Sequence, residues 1–402
     1  MRSKAFFVNG GAGRVICSIP AFEKYAETHD DFIIVCEGGT DFFKGHPTLD
    51  GKVYDNWHKN LFQTELKDRD IISTEPYRIW HYYNQKCSLA QAYDIQINEL
   101  DEPRELPVPK IELAKMEAIQ GFQAVEEVKQ GTGKDKVIVI QPFGRSVEQV
   151  GDDFIADITS RSFPLNAIVE IINDLKKDYG VIIMSEIHFP VEENEEKAKI
   201  KVARPQIADM RTWGGIINAA DHFLGCDSMG QHLARAFGKT ATVVTGSTFP
   251  INISYPDCKD FDIIDVGEGR RQYSPIRLTT DERVDRYNDQ AMELDKDQIR
   301  SILTSVRKRM GKSTAYTNYK KQKQPAQQND CCAPTTNMGM NSSPTYGVPK
   351  NTAKPQLKPS SSKGFMADIK NAAPKTSVEG QVKDILNNLK GGYNDSMDCS
   401  SC

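Results

Sequence analysis

Along the first 310 residues, short apolar runs rich in Val and Ile alternate with longer stretches of helical periodicity. "KAFFVNGGAGRVICSIPAFEKYAETHDDFIIVCEGG" reads as strand, glycine turn, helix, strand. "KVIVIQPFG" followed by "PLNAIVEIINDLKKDYGVIIMSE" repeats the alternation after residue 136, and "DMRTWGGIINAADHFLGCDSMGQHLARAFGKTATVVTG" gives helix, strand, helix, strand. Apolar runs without polar alternation indicate strands covered on both faces, as in parallel sheets. A chain of 402 residues is too long for one ordinary core. The pattern therefore predicts an α/β protein with two Rossmann-like domains facing across a cleft, in residues 1–120 and 136–310. The junction falls between 105 and 136, and a closing helix is expected around 295–309.

Beyond residue 310 the pattern changes. Residues 311–376 are dominated by Pro, Ser, Asn, Gln, Thr and Lys, and so little apolar surface cannot offset the entropy of ordering. This segment reads as a disordered linker. Residues 377–402 open with "SVEGQVKDILNNLKGG", where Val378, Val382, Ile385 and Leu389 recur at helical spacing between a Ser377 cap and the Gly391 stop. It is either a docking helix for a protein partner or a marginal helix with none. The closing Cys399 and Cys402 have the spacing of a redox or metal pair, but no second Cys/His pair lies close by, so no metal site is expected.

Composition narrows the class. The formal charge of −4 is uneven: the tail from Gly311 carries a surplus of six cations, leaving about −10 on the body. So acidic a body is a poor general partner for nucleic acid. No apolar run is long enough for a transmembrane helix, and the start "MRSKAFFVNGG" lacks the apolar core of a signal peptide. Nine cysteines at scattered spacings suit a reducing cytoplasm better than a disulfide framework.

Parallel sheets place ligands at the carboxyl ends of their strands, where glycine turns lead into helices. Three such turns stand out. "NGGAGR" at 9–14 offers Gly11 and Gly13 for close backbone approach and Arg14 as a cation at a helix start, or else simply a tight packing turn. "SEIH" at 185–188 places Glu186 after a strand, where it either accepts ribose hydroxyls or is an exposed charge. In "GCDSMGQH", Asp227 or Ser228 can cap a helix and leave first-turn N–H groups for an anion. His232, one turn on, either donates to a phosphate or packs structurally. "GTGK" at 131–134 lacks the spacing of a phosphate loop.

In combination these motifs go further. "INAADHFLGCDSMGQHLARAFGKTATVVTGSTFP" resembles the signature of glycosyltransferase family 9, the heptosyltransferase family: Ala-Asp before an apolar strand, then Asp-Ser/Thr-Gly-x-x-His-Leu, then a strand ending Gly-x-Thr-x-Pro. These are Ala220-Asp221, Asp227-Ser228, His232-Leu233-Ala234 and Gly246 to Pro250. "GAGRVICSIPAF" is similar to the family's Gly-Asp turn and helix. "RSFPLNAIVEII" resembles its Lys/Arg-x-Trp-Pro stretch, with Arg161 at the basic position. The likeness runs in order over roughly residues 4–265.

The resemblance implies the B-type glycosyltransferase fold, with the acceptor (a glycan or other hydroxyl compound) in the N-terminal domain and a nucleotide-diphospho-sugar in the C-terminal one. It implies inverting transfer without metal or other cofactor. Arg161 and Ser228 would sit on the diphosphate, followed by Met229 and Gly230 of the same turn. Glu186 would hold the ribose, and Asp227 and His232 would shape the phosphate end. Two departures stand out. Arg14 occupies the position of the family's proposed base, and a guanidinium accepts no proton. Met229 replaces the family glycine, with Gly230 after it. Either another carboxylate (Glu37 or Asp41) acts, transfer proceeds without that base, or catalysis is lost; Arg14 would instead bind donor phosphate, as a cation beside a similar glycine turn does in fucosyltransferases. The alternatives to an enzyme are a nucleotide- or sugar-binding descendant and an interaction protein acting through its tail.

Overall fold

The structure, a computed structural model, describes residues 2–145, 147–150, 154–157, 159–192, 194–207, 209–271 and 291–317. All of them belong to one compact unit within Met1–Ala326.

The chain opens with β1 (Lys4–Val8), α1 (Ala12–Ala26), β2 (Phe32–Cys36), β3 (Val53–Asp55) and β4 (Asp70–Ser73), followed by α2 (Trp80–Tyr83) and α3 (Leu89–Ile97). The four strands form a parallel sheet in the order β3-β2-β1-β4. The helix α4 (Lys115–Thr132) leads to β5 (Val137–Gln141), the antiparallel ribbon of β6 (Val147–Val150) and β7 (Phe154–Asp157), α5 (Leu165–Leu175) and β8 (Gly180–Ile183). Then come α6 (Met210–Ala219), β9 (His222–Cys226), α7 (Met229–Ala236), β10 (Ala241–Thr245), α8 (Pro250–Ile253), β11 (Phe261–Asp265) and α9 (Lys296–Met310). The second sheet is parallel in the order β11-β10-β9-β5-β8. The protein is thus an α/β molecule with two Rossmann-like halves.

β2, β5, β8, β9 and β10 are buried at every residue, as their unbroken apolar runs require. The helices cover the sheets through matching stripes. In α5, Ala167, Ile168, Ile171, Ile172 and Leu175 are buried, while Ile299, Ile302, Val306 and Met310 form the buried stripe of α9. α9 begins with an Asp295–Gln298 capping box and is tied to α5 by Arg307, which pairs with Asp174 at 2.7 Å. One hydrophobic cluster runs across both halves, from Phe6 and Phe22 through Val125 to Trp213 and Leu233.

The junction helix α4 lies against α6, with Gly121 facing Gly215 so closely that a Cβ on either would meet the other helix's backbone. Buried Arg211 fastens this seam by donating to both carboxylate oxygens of Glu117, to the Glu112 carbonyl and to the Asp41 carbonyl. The halves therefore meet through shared core and backbone bonds rather than a loose hinge.

Residues 313–316, expected to lie in the linker, are bound to the body. Ser313 and Thr314 bond to Asp135, and Tyr316 donates to Glu126 on α4. Chiefly through the Thr314 hydroxyl, the Asp135 carboxyl is held down at about 2. The rest of the expected linker, the helix from Ser377 and the Cys399–Cys402 pair lie outside the described residues.

Two glycines of this region give opposite expectations. Gly215→Ala pushes a methyl into the Glu117 carbonyl and is expected to cost about 1–3 kcal/mol. Gly131→Ala, in the exposed last turn of α4 with nothing within 4 Å, is expected to gain about 0.5–1 kcal/mol. Thermal melts of the two variants check both signs.

Candidate functional site

In an open parallel sheet, a ligand crevice forms where neighbouring strands send their connections to opposite sides. In the second sheet this place lies between β5 and β9. Gln141 ends β5 and reaches across it. Its Nε2 donates to Ser228 Oγ at 3.0 Å, and its Oε1 accepts the Gly230 N–H at 2.8 Å. This corrects the expected capping of α7: Ser228 is the N-cap residue but makes no side-chain cap bond. Gln141 caps the helix from the next strand. Gly230 is needed here because a Cβ would lie 2.5 Å from Gln141 Oε1. Met229 is half-buried beside it.

Asp227 is buried and faces inward. Its Oδ1 accepts from Gln231 Nε2 at 3.0 Å and its Oδ2 from the Thr248 hydroxyl at 3.0 Å, while Arg161 Nη1 stands 3.7 Å away. The side chain of Arg161 remains 24% exposed, so it can still meet a ligand. Burial opposes its charge, but Asp227 and Asp157 outweigh that and hold its pKa above the usual value.

Arg161 owes its place to Asp157, at the end of β7. That carboxylate accepts the N–H groups of Thr159, Arg161 and Ser162 at 2.7, 3.2 and 2.9 Å, and both hydroxyls of Thr159 and Ser162. Burial raises the Asp157 pKa, yet these bonds prevail and leave it lowered. Thr159 Oγ1 then accepts from Arg161 Nε at 3.1 Å, and Ser162 Oγ accepts the Gly144 N–H at 2.9 Å. The second bond fixes the turn that carries Arg145. Arg145 is exposed and makes no hydrogen bond or ion pair among the described residues. It lies over the other half: a Cβ on Gly11 would sit 3.2 Å from its Nη1.

In the first sheet the corresponding place lies between β1 and β4. After β1 the chain turns at Gly10, whose φ of +107° favours glycine, and its N–H donates to Glu37 Oε2 at 2.6 Å. Arg14 folds back over this turn. Its Nε donates to the Tyr77 hydroxyl at 2.9 Å and its Nη1 to the Asn9 carbonyl at 2.5 Å, with the guanidinium 4.4 Å from the Tyr77 ring centre. Tyr77 also acts electrostatically on Arg161, so the two arginines border one region. Asp41 is turned away and paired with Lys44 at 2.5 Å, while its carbonyl serves Arg211. Glu186 is exposed beyond the end of β8. In the aromatic stretch at 80–86, Trp80 is 56% exposed and Tyr82 is buried against Tyr77.

His232 does not face a cleft. It is 3% exposed, with Nδ1 at 2.8 Å from the Tyr255 hydroxyl and 3.5 Å from Cys17 Sγ. Gly13 packs on it, since a Cβ there would lie 3.2 Å from its ring. Burial drives the imidazole down to about 4 and pushes the Cys17 thiol up, so the pair is neutral and not a thiolate–imidazolium dyad.

The structure thus gathers Gly11, Gly13, Arg14, Arg161, Asp227, Ser228, Met229 and Gly230, with Glu37 at the edge. Sequence reasoning missed Arg145, although Gly144-Arg145 after "KVIVIQPF" repeats the glycine–arginine order of Gly13-Arg14. It also missed Gln141 and Asp157, polar residues at strand ends that act through other residues.

Neither the comparison with protein-family models nor that with curated proteins finds a match. Solved structures do match. A glycosyl transferase family 9 protein from Veillonella parvula aligns with 75% of this chain and 97% of its own at 12% identity, with a TM-score of 0.51. The E. coli ADP-heptose lps heptosyltransferase II aligns with 75% of this chain and 99% of its own at 11% identity, with a TM-score of 0.49. The chain has the fold of the family 9 glycosyltransferases. In this chain the turn after β1 meets the second half, through the contacts of Gly11 with Arg145 and Gly13 with His232. Among the described residues no helix is long and apolar enough to cross a membrane, and no group of three His, Cys, Asp or Glu could hold a metal.

The buried imidazole gives this fold an acid-side weakness. Unfolding returns His232 to its ordinary value of 6.5, so the unfolded chain binds a proton that the folded chain refuses down to about pH 4. His222, held at about 3 by burial first and then by Arg309, acts in the same direction. Stability is full above pH 6.5 and is expected to fall as pH drops towards 4. His232→Gln is expected to melt lower at pH 7.5 and to lose less on acidification, which melts at a series of pH values check.

Proposed function

We propose that this protein is an inverting glycosyltransferase that moves a sugar from a nucleotide-diphospho-sugar to an acceptor hydroxyl without a metal ion. The observation that carries this reading is the convergence of three arginines, Arg14, Arg145 and Arg161, where the strand ends of the two halves meet. Like charges repel; Asp227 and Asp157 offset Arg161 and Glu75 acts on Arg14, while Arg145 has no counter-ion among the described residues, so an added anion makes the cluster more favourable. A leaving diphosphate is an anion that gains charge as its bond to the sugar breaks, and fixed cations aimed at it lower the barrier. Here they supply the charge neutralisation that transfer needs.

In this reading the donor lies on the second half, with its diphosphate between Arg145, Arg161 and Ser228. Its ribose reaches the exposed Glu186. Met229 and Gly230 form the floor, and Asp227 sets Arg161. His232 supports Gly13 from below rather than donating to phosphate. The acceptor approaches the first half, where Trp80 and the 84% exposed Trp57 offer faces for a sugar ring. The five described cysteines are all unpaired, which suits the cytoplasm.

One observation favours a second reading, a non-catalytic binder of nucleotide or sugar. At position 14, where the resemblance calls for a carboxylate, Arg14 is locked by Tyr77 and Asn9 and takes up no proton.

Titration with ADP-, GDP-, UDP- and dTDP-linked hexoses, followed by assay of sugar release, separates the readings: an enzyme binds and turns over, a binder only binds. A charge-assisted bond to phosphate is worth about 1.5–3 kcal/mol, so Arg145→Ala and Arg161→Ala are each expected to weaken binding roughly tenfold or more. Unchanged affinity in both would remove the site. Because Arg145 makes no bond among the described residues, its variant is expected to melt like wild type.

A further inference from the structure

Buried polar atoms are nearly always hydrogen-bonded, so an orphan calls for an explanation. Three orphans fall in one neighbourhood of the first half. Arg14 Nη2, Glu75 Oε2 and the Tyr93 hydroxyl are all buried with no hydrogen-bond partner among the described residues. They are not scattered, since Tyr93 and Glu75 both act on the charge of Arg14. Glu75 stands two residues beyond β4, on the strand that flanks β1 at the crevice of the first sheet. Its N–H is anchored to Gln96 Oε1 at 2.8 Å, and the preceding Thr74 is tied to the Phe7 carbonyl. The carboxylate therefore comes from a fixed backbone.

The chemistry of the three atoms is complementary to a hydroxyl. Glu75 Oε2 accepts a proton, Arg14 Nη2 donates to an oxygen, and the Tyr93 hydroxyl can do either. The other carboxylates near the turn are engaged. Glu37 Oε2 is taken by the Gly10 N–H, and Asp41 is paired with Lys44. Glu75 alone among these three keeps a buried oxygen with nothing to bond.

Building on the transfer reading above, we propose that Glu75 is the general base of this protein, seated opposite Arg14 to receive the acceptor hydroxyl. The acceptor oxygen bonds to the anomeric carbon of the donor while its proton passes to Glu75 Oε2. On the far side, the bond from that carbon to the diphosphate oxygen breaks. The electron pair leaves with the diphosphate, held by Arg145 and Arg161. Arg14 thus replaces the family's carboxylate without loss of chemistry: it orients the acceptor oxygen, and the base comes from the neighbouring strand.

The test uses the full chain and whichever hexose donor of the four-nucleotide panel binds it, with water as the acceptor and release of nucleoside diphosphate as the signal. A positioned base contributes about 10²–10⁴-fold. Glu75→Gln, which keeps the shape of the side chain, is expected to hold donor affinity within about twofold while release falls at least about a hundredfold. Glu75→Asp, which keeps the carboxylate, should restore part of the rate. Full release by Glu75→Gln overturns the assignment, as does a joint loss of melting temperature and affinity, which marks a structural role. If no donor binds wild-type protein, the transfer reading fails first and takes this inference with it.

Discussion

The close meeting of one glycine turn, at Gly11 and Gly13, with the opposite half is the constraint on which the rest of the structure depends. Gly13 rests on the His232 ring and near the Met229 backbone, and Gly11 lies beneath Arg145. A Cβ at Gly13 would stand 3.2 Å from the His232 ring and crowd a buried neighbour, while one at Gly11 would meet the movable end of Arg145. With glycine there, the crevices of the two sheets come within reach of each other. Arg14 from one half then shares a region with Arg145 and Arg161 from the other. The seam behind it is equally tight: Gly121 against Gly215, Arg211 bonding both sides, and Asn252 Nδ2 donating to the carbonyls of Tyr82 and Cys87 at 2.9 Å.

Bringing three guanidinium groups together costs electrostatic energy, and the structure offsets only part of it. Asp157 spends its bonding capacity on a turn that aims Arg161, and Asp227 faces that arginine from 3.7 Å, beyond hydrogen-bond range. Arg145 has no counter-ion among the described residues, and Arg14 keeps one nitrogen unpaired. A site built only for stability would neutralise these groups. Leaving charge unsatisfied at a fixed position is how a protein prepares to bind and stabilise an anion.

Much of this fold was legible in the sequence because its strands are continuous apolar runs. "FFV", "FIIV", "VIVI" and "ATVV" have no other sensible place in an acidic body than the middle of a covered sheet. The edges were harder. β4 exposes most of its short length and β6–β7 is a two-stranded ribbon, so neither leaves a periodic signal. The site followed the same division. Motif resemblance pointed to Arg161, Asp227 and Ser228, which lie close together in the structure, and it gave His232 a cleft-facing role, whereas His232 is 3% exposed. Gln141, Asp157 and Glu75 matter through where strands end and which neighbour they reach, and single-chain spacing does not encode that. Arg145 was readable and was passed over, since its glycine–arginine turn follows a strand just as Arg14 does.

The measurement that bears most directly on this account is a crystal structure of the full chain soaked with a nucleoside diphosphate. The account predicts both phosphates between the two halves, within about 3 Å of guanidinium nitrogens of Arg145 and Arg161, a charge-assisted bonding distance. A diphosphate lying elsewhere, with both arginines left unbound, would contradict it.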